Sequence, residues 1–169
     1  MYIGADDMNS SMNMVHTFQG GLGMGERDYY LGTDEQTKQI REKYQEHVNK
    51  MFRLAGYDEA TAKKAVKAVM NIETRLANAA RSQVQLRDPH ANYNKMDMAT
   101  LKKNYPTFNW DAYFSVAGLK DLKEINIGQP AAMKEVADII HTASLADQKL
   151  YLQWGVIDVA APYLSDDFV

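Results

Sequence analysis

Histidine and glutamate are the two residue types of the zinc-binding His-Glu-x-x-His pattern, and both can hold a metal ion or move a proton. The histidines are His16, His47, His90 and His141. A zinc-binding pair on a helix requires histidines four residues apart, because that spacing puts both imidazoles on one helical face. No two of these histidines have that spacing. The sequence therefore predicts no metal site and no bound zinc in this chain.

Glu73 falls on or beside the apolar face of a predicted helix, where a catalytic carboxylate could be placed. An unpaired buried charge is costly, so a buried glutamate more often has a cationic partner. Arg27 and Arg87 are the candidate partners, and each belongs to an Arg-Asp pair with Asp28 or Asp88. We expect a structural ion pair, with the two Arg-Asp segments acting as loop anchors. No catalytic residue is assigned.

Residues 19–31 read Gln-Gly-Gly-Leu-Gly-Met-Gly-Glu-Arg-Asp-Tyr-Tyr-Leu, and such a glycine-dense backbone can fold tightly. A dinucleotide-binding loop would require a further glycine where Glu26 stands, and this carboxylate would repel a pyrophosphate. A Walker-type loop would require Gly-Lys-Ser/Thr, which the sequence lacks. The segment is therefore interpreted as a tight connection into a helix that begins near Asp34, with no bound cofactor.

Helical periodicity and capping residues predict an all-α fold, a compact bundle of about five to six helices with one long anchored loop. Gly56 is the expected turn of a hairpin between the first two helices. The loop is predicted for residues 83–95, which contain Asp88-Pro89 and lack periodicity. The predicted helices begin at or near Thr33, Asp58, Asp97, Asn109, Pro130 and Ser144.

Two segments have no helical pattern. Ile125-Asn126-Ile127 alternates over only three residues, so a brief edge strand and an irregular extended segment both remain open. Residues 1–18 are methionine-rich without a clear period and are expected to be a frayed N-terminal segment. The aromatic residues later in the chain are interpreted first as core anchors, with peptide contact as the alternative. They are Trp110, Tyr113, Phe114, Tyr151 and Trp154.

The composition is ordinary for a soluble globular protein and excludes several classes of function. The 169 residues are 46% hydrophobic and 24% charged, which fits one domain with a core. A net charge of −3 with dispersed lysines argues against nucleic-acid binding. We expect neither a signal peptide nor a membrane segment in this chain, and the absence of cysteine excludes disulfides.

Five segments, in the same order, resemble the neprilysin and endothelin-converting-enzyme family of zinc metallopeptidases. Residues 19–31 are similar to its Gln-x-Gly-Leu-Gly-Leu-Pro-x-Arg-Asp-Tyr-Tyr segment, with Met24-Gly25 where many relatives have Leu-Pro. The other four are its Glu-x-x-Leu-Ala helix, its Arg-Asp segment running into Tyr-Asn-Lys-Met, and two helices that carry tryptophan. They correspond to Glu73–Ala77, Arg87–Met96, Asn109–Phe114 and Leu150–Trp154.

The resemblance implies that the chain is an internal fragment of a larger enzyme. The family cuts peptides with a zinc ion held by a His-Glu-x-x-His helix and a further glutamate, all downstream of the matched segments. Residues 19–169 would then belong to the helical, non-catalytic lobe, which encloses the substrate chamber and restricts entry to peptides. Zinc, the catalytic lobe and peptide substrates would belong to the parent protein, and this fragment alone is expected to be inactive.

The resemblance also bears on origin. Animal members of the family are disulfide-bonded, so the lack of cysteine points towards a bacterial relative. The compartment stays open between a bacterial cell envelope or periplasm and the cytoplasm. We expect exposed apolar surface in the methionine-rich N-terminal segment and around Tyr163, Leu164 and Phe168. The alternative is a free-standing all-α protein-interaction module without enzymatic activity.

Overall fold

The chain builds two units, each from two stretches that are distant in the sequence. The computed structural model describes residues 1–119 and 121–168. One unit, here called the sheet unit, comprises Met1–Gly21 and Ala79–His141. The other, the helical unit, comprises Leu22–Asn78 and Thr142–Val169. The single compact bundle predicted from the sequence is therefore wrong.

A four-stranded mixed sheet forms the centre of the sheet unit and overturns the all-α prediction. Its strands are β1 (Tyr2–Asp6), β2 (Asn9–Thr17), β3 (Lys95–Asp97) and β4 (Glu124–Ile127). Their order is β1-β2-β4-β3. β1 and β2 form an antiparallel hairpin, β2 runs parallel to β4, and β4 runs antiparallel to β3.

β3 and β4 are short and pair with distant parts of the sequence, whereas β1 and β2 form a local hairpin whose methionine-rich sequence has no clear period. Residues 1–18, expected to be frayed, hold the β1–β2 hairpin. β4 is an interior strand rather than an edge strand, and Ile125, Asn126 and Ile127 are all buried. Alternation of apolar and polar residues signals only a strand with one wet face, so it does not mark a strand that is covered on both faces.

Helices account for most of the remaining structure. The described residues contain seven α-helices: α1 (Arg27–Leu31), α2 (Glu35–Leu54), α3 (Glu59–Ala79), α4 (Met98–Asn104), α5 (Trp110–Val116), α6 (Pro130–Thr142) and α7 (Leu145–Ala160).

The caps of these helices follow the sequence closely. Asp97 and Asn109 accept hydrogen bonds from the backbone amides of residues three positions later and start α4 and α5 as predicted. Ser144 caps α7 in the same way. The cap of α2 is Asp34, one residue after the predicted Thr33.

Each unit has its own hydrophobic core. In the sheet unit, residues of β2 and β4 pack against α4, α5 and α6, and the fully buried members are Val15, Leu101, Tyr105, Trp110, Phe114, Ile125, Ile127 and Ala137. In the helical unit, α2, α3 and α7 supply the core together with one residue after α7: Val48, Met51, Phe52, Ala62, Ala65, Val69, Trp154 and Ala161. The turn between α2 and α3 contains Gly56, as predicted.

The sheet can be tested with two isoleucines that differ in burial. Ile125 in β4 is fully buried, whereas Ile3 in β1 is 62% exposed. We expect Ile125→Ala to lower the free energy of unfolding by about 2–5 kcal/mol, because it removes packed side-chain volume. The same change at Ile3 should cost about 1 kcal/mol or less. Urea unfolding followed by circular dichroism measures both, and equal losses would contradict the interior position of β4.

Candidate functional site

A buried carboxylate forms the centre of a polar cluster in the helical unit. Glu73, on α3, is 2% exposed. Its Oε2 accepts a 2.7 Å hydrogen bond from the Tyr30 hydroxyl, and its Oε1 accepts a 3.0 Å bond from the Tyr44 hydroxyl. The backbone amide of Gly23 donates to Oε1 at 3.3 Å. Three neutral donors therefore converge on one carboxylate.

The two tyrosines also accept hydrogen bonds. The Tyr30 oxygen accepts from the backbone amide of Met24 at 2.9 Å. The Tyr44 oxygen accepts from Trp154 Nε1 at 3.0 Å. Each phenol is thus polarised to donate towards Glu73, since hydrogen bonds in a chain strengthen one another. We call Glu73, Tyr30, Tyr44 and Trp154 the carboxylate cluster.

The sequence prediction of an arginine partner for Glu73 is wrong. Arg27 Nε donates instead to the carbonyl of Ala77, in the last turn of α3, at 3.2 Å. Throughout residues 1–119 and 121–168, no ion pair joins Glu73 to an arginine. Arg27 still anchors its segment to α3. A guanidinium near a helix C-terminus donates to a terminal carbonyl and interacts favourably with the negative end of the helix dipole.

Burial controls the protonation of the carboxylate cluster. It raises the pKa of Glu73 from 4.5 to about 6, although the hydrogen bonds from the two tyrosines act in the opposite direction. Burial, with a contribution from the negative charge of Glu73, also raises the pKa of Tyr30 and of Tyr44 above the usual range. Both phenols therefore remain protonated donors at neutral pH.

Gly23 is required by the close approach of the glycine-rich segment to α2. A Cβ atom at Gly23 would lie 1.9 Å from the Tyr44 hydroxyl oxygen and 2.7 Å from its Cζ. The next turn closes with a hydrogen bond from the Gly25 amide to the Leu22 carbonyl, and Gly25 has a φ of 84°. The segment between these glycines and α1 is thus tied to α2 and α3 by the carboxylate cluster.

A second polar cluster lies in the sheet unit, on the strand pair β2–β4. His16 and Asn126 are neighbours in register, and the Asn126 amide nitrogen lies 3.2 Å from His16 Nδ1. His16 Nε2 lies 3.0 Å from the Ala5 carbonyl. A neutral imidazole with its proton on Nε2 satisfies both contacts, because Nδ1 then accepts from Asn126. His16 is therefore occupied as a structural hydrogen-bonding group.

The long loop predicted at residues 83–95 is anchored by the same cluster. Asn126 Oδ1 accepts from the Asn94 amide at 2.6 Å, and Asn126 Nδ2 donates to the Asn92 carbonyl at 3.1 Å. The Tyr93 hydroxyl donates to the buried Asp6 at 2.8 Å. Asp88, predicted as a loop anchor, accepts from the amides of the residues two and three positions later.

Gln19 is an anchor that sequence reasoning missed. Its side-chain amide forms two hydrogen bonds with the backbone of Arg81, accepting from the nitrogen at 2.8 Å and donating to the carbonyl at 2.9 Å. Its own backbone amide donates to Gln129 Oε1 at 2.7 Å. The position of Gln19 at the start of the glycine-rich segment was a sign of its importance, but a glutamine alone does not predict which group it will bind.

A cavity of about 290 Å³ adjoins this region of the sheet unit. Arg87 and the exposed Phe18 lie on its wall. The buried amides of Asn126 and Gln129 also line it, and both already have hydrogen-bond partners within the chain. No buried side-chain nitrogen or oxygen in the described residues lacks a partner. The cavity thus has no buried polar group that awaits a ligand.

The histidines do not form a metal centre. Nowhere in residues 1–119 and 121–168 do three His, Cys, Asp or Glu side chains converge as metal ligands. His16 is buried in β2, and His47 on α2 packs edge-on against Trp154 at 5.7 Å. His90 lies in the anchored loop and His141 in the last turn of α6. The four histidines therefore lie apart from one another, in β2, α2, the anchored loop and α6.

The aromatic residues divide between the two cores. Trp110 and Phe114 are buried in the sheet unit, and Trp154 is buried in the helical unit. Tyr151 is half-buried against the helical core, whereas Tyr113 is partly exposed. Four of the five are thus core residues, as the sequence predicted.

Comparison with protein families gives an assignment for the whole chain. The model Peptidase_M13_N, described as peptidase family M13, matches residues 1–169. The chain belongs to peptidase family M13. The order of the sequence motifs is therefore inherited from this family, and the resemblance stated above is confirmed.

Curated relatives in this family are much longer than the chain. Endothelin-converting enzyme 1 of Cavia porcellus is 28% identical over 174 residues, which cover 99% of the chain and 23% of that enzyme. Neprilysin-3 of Drosophila melanogaster is 28% identical over 177 residues, covering 98% of the chain and 22% of that protein. The chain thus spans less than a quarter of the length of these relatives.

Solved structures share the fold. The zinc metalloprotease Zmp1 of Mycobacterium tuberculosis, in its open state, has a TM-score of 0.91 and 27% identity, covering 99% of the chain and 26% of Zmp1. Zmp1 in complex with an inhibitor gives a TM-score of 0.89 at the same identity and coverage. Zmp1 therefore has the same fold as this chain over the matched quarter of its length.

Among the helices of the described residues, none combines the length and the apolar character that crossing a bilayer requires.

The raised pKa of Glu73 predicts a pH-dependent stability. The folded state favours the protonated carboxyl, so its contribution is fully present below pH 4.5 and is lost as the pH rises through about 6. Relative to Glu73→Gln, the wild-type free energy of unfolding should fall by about 2 kcal/mol across this window. Urea unfolding of both proteins between pH 4 and 7.5 measures the difference.

Glu59→Gln is the matched control for this experiment. Glu59 is exposed, and its hydrogen bond to Lys63 lowers the pKa of its carboxyl. Wild type should therefore lose stability relative to Glu59→Gln as the pH falls, which is the opposite trend. A flat difference for Glu73→Gln would contradict a buried, mainly desolvated carboxylate.

The close approach at Gly23 predicts a large effect of one methyl group. Gly23→Ala should destabilise the chain by about 1–3 kcal/mol or more, because Tyr44 is held by two hydrogen bonds and cannot yield without breaking them. Gly20→Ala is the control, since a Cβ atom there meets nothing within 4 Å. Thermal unfolding of both variants would show the contrast, and equal midpoints would refute it.

Proposed function

We propose that this chain is the non-catalytic part of a longer zinc metallopeptidase, in which it helps to enclose the chamber where peptides are cleaved. The chemistry is supplied by residues outside this chain. Two facts together carry the proposal. All 169 residues match family M13, and they span less than a quarter of the length of the relatives.

The side-chain chemistry supports a scaffold role. A catalytic group requires an atom that is free to react or to bind substrate, whereas Glu73, His16 and Asn126 are buried and hydrogen-bonded within the chain. Within residues 1–119 and 121–168, no three His, Cys, Asp or Glu side chains converge to hold a zinc ion. The clusters instead hold loops in place.

We infer the peptide substrates and the zinc of the longer protein from its relatives. The relatives include endothelin-converting enzymes and a protein whose structure is described as a zinc metalloprotease in complex with an inhibitor. The fold differs from the helical lobe expected from the sequence, because a mixed sheet forms part of it. The absence of cysteine supports a bacterial origin, as one relative of known structure comes from Mycobacterium tuberculosis.

Two proteins test the proposal, the 169-residue chain and the longer polypeptide encoded by the same gene. We expect the longer protein to hydrolyse an unstructured fluorogenic peptide, and a chelator to abolish this activity. The chain alone should neither cleave the peptide nor hold stoichiometric zinc by elemental analysis. The same cleavage sequence placed in a loop of a folded domain should resist the longer protein, because an enclosed chamber excludes folded substrates.

Two results would contradict the proposal. One tightly bound zinc in the 169-residue chain, together with peptide cleavage that a chelator abolishes, would place the chemistry in this segment. Equal cleavage of the free peptide and of the folded domain by the longer protein would remove the enclosing role while leaving the peptidase assignment in place.

A further inference from the structure

α7 carries four large apolar side chains that face solvent along one side of the helix. Leu145 and Leu152 are each 67% exposed, Val156 is 70% exposed and Val159 is 73% exposed. Their spacing of seven, four and three residues puts all four on one side of a helix. We call these four residues the α7 stripe.

The opposite side of α7 is apolar too. Leu150, Tyr151, Trp154 and Ile157 pack against the core of the helical unit. Gln148, Lys149 and Gln153 border the α7 stripe, so the helix has polar side chains on both sides of it but no continuous polar face towards solvent. Such exposed stripes on a soluble protein mark an interaction surface more often than a free one. α7 therefore exposes four large apolar side chains at positions where a surface helix usually carries polar residues.

Gly155 is a second, independent sign of a missing neighbour. It lies inside α7 beside the α7 stripe, is exposed, and has nothing within 4 Å of the position a Cβ atom would take. A glycine inside a helix destabilises it by roughly 0.5–1 kcal/mol relative to alanine. Nothing within this chain requires that loss. A glycine at such a position does allow the backbone of another helix to approach closely.

We propose that the α7 stripe is the docking surface for an apolar helix face from the remainder of the same peptidase polypeptide. The inference rests on the proposed function. The relatives are about four times as long as the matched chain, so more than 70% of such a protein lies outside these residues. A segment on the same polypeptide binds at high effective concentration, which suits a modest stripe of four side chains.

A second copy of the chain is the competing occupant, and it fits the stripe less well. Lys149 lies near the stripe, one helical turn from Leu145 and from Leu152 and two turns from Val156. A symmetric pair of stripes would bring two such lysines close to one apolar interface. A different helix can instead place a polar or acidic residue opposite Lys149, so a heterologous partner avoids burying like charges.

Thiol labelling can test the docking surface, because the chain has no cysteine of its own. Val156→Cys places a thiol in the stripe, and Val84→Cys is the matched control on an exposed valine that is 74% exposed in the sheet unit. Each variant is made in the 169-residue chain and in the longer protein. Maleimide labelling rates at the new cysteine are read by peptide mass spectrometry.

We expect the labelling of Val156→Cys to be at least tenfold slower in the longer protein than in the chain, while Val84→Cys labels at similar rates in both. Val159→Cys repeats the test at a second stripe position if the first variant folds poorly. Gly155→Ala should raise the unfolding midpoint of the 169-residue chain, and it should raise that of the longer protein less or lower it, because the added methyl group meets the docked helix.

Equal labelling of Val156→Cys in the two proteins would overturn the proposal. Labelling that slows with the concentration of the 169-residue chain, together with a dimer in sedimentation, would assign the stripe to a second copy and would also overturn it. A longer protein that cleaves peptides yet labels fast refutes only the docking surface. One that protects the stripe but cleaves no peptide refutes only the proposed function.

Discussion

The burial of one carboxylate organises the helical unit. Glu73 loses its hydration on folding, and its negative charge is accommodated only because Tyr30, Tyr44 and the amide of Gly23 point donors at it. Trp154 in turn fixes Tyr44. Segments from four parts of the sequence therefore meet at one group. A different packing of α2 against α3 would remove the Tyr44 donor from a buried, acceptor-only charge, and a different packing of α7 would remove the bond that fixes Tyr44, so the cluster favours one arrangement of the helices over others.

In the sheet unit, the buried polar group that holds separate segments together is neutral. An asparagine side chain both donates and accepts, so Asn126 can join a neighbouring strand to the backbone of an overlying loop. The position of Asn126 on an interior strand makes this useful, because its apolar neighbours Ile125 and Ile127 point into the core on the other face. The loop of residues 83–95 is held without any regular structure of its own over most of its length.

Local signals predicted the helices well, but of the sheet they left only a brief strand at residues 125–127 as an open alternative. Asp97, Asn109 and Ser144 cap helices through hydrogen bonds to residues three positions away, so a short stretch of sequence is enough to predict each cap. β4 is buried by strands that come from distant parts of the chain, and no short window contains that information. The prediction of an arginine partner for Glu73 was wrong for a related reason. Charge complementarity suggested a cation, whereas the structure supplies tyrosine hydroxyls, whose positions depend on how α1 and α2 pack.

Sequence motifs and side-chain contacts reveal different properties of this chain. Motif order identified the family and implied that the chemistry lies elsewhere, whereas helical periodicity and capping residues led to the all-α prediction, which the mixed sheet contradicts. The structure in turn supplies what motifs do not contain, namely which residues of each motif touch each other. Gln19, for example, is the first letter of the glycine-rich motif, and its role is to bind the backbone of Arg81.

The interleaving of the two units governs the order in which the chain can fold during synthesis. The polypeptide passes between the units three times, after residues 21, 78 and 141. β2 leaves the ribosome with β1 on one edge, while its other edge waits for β4, because His16 and Asn126 are 110 positions apart. The helical unit likewise stays open until Trp154 on α7 arrives to complete its core. Neither unit can finish before most of the chain has been made, so a nascent chain exposes an unpaired strand edge for much of its translation.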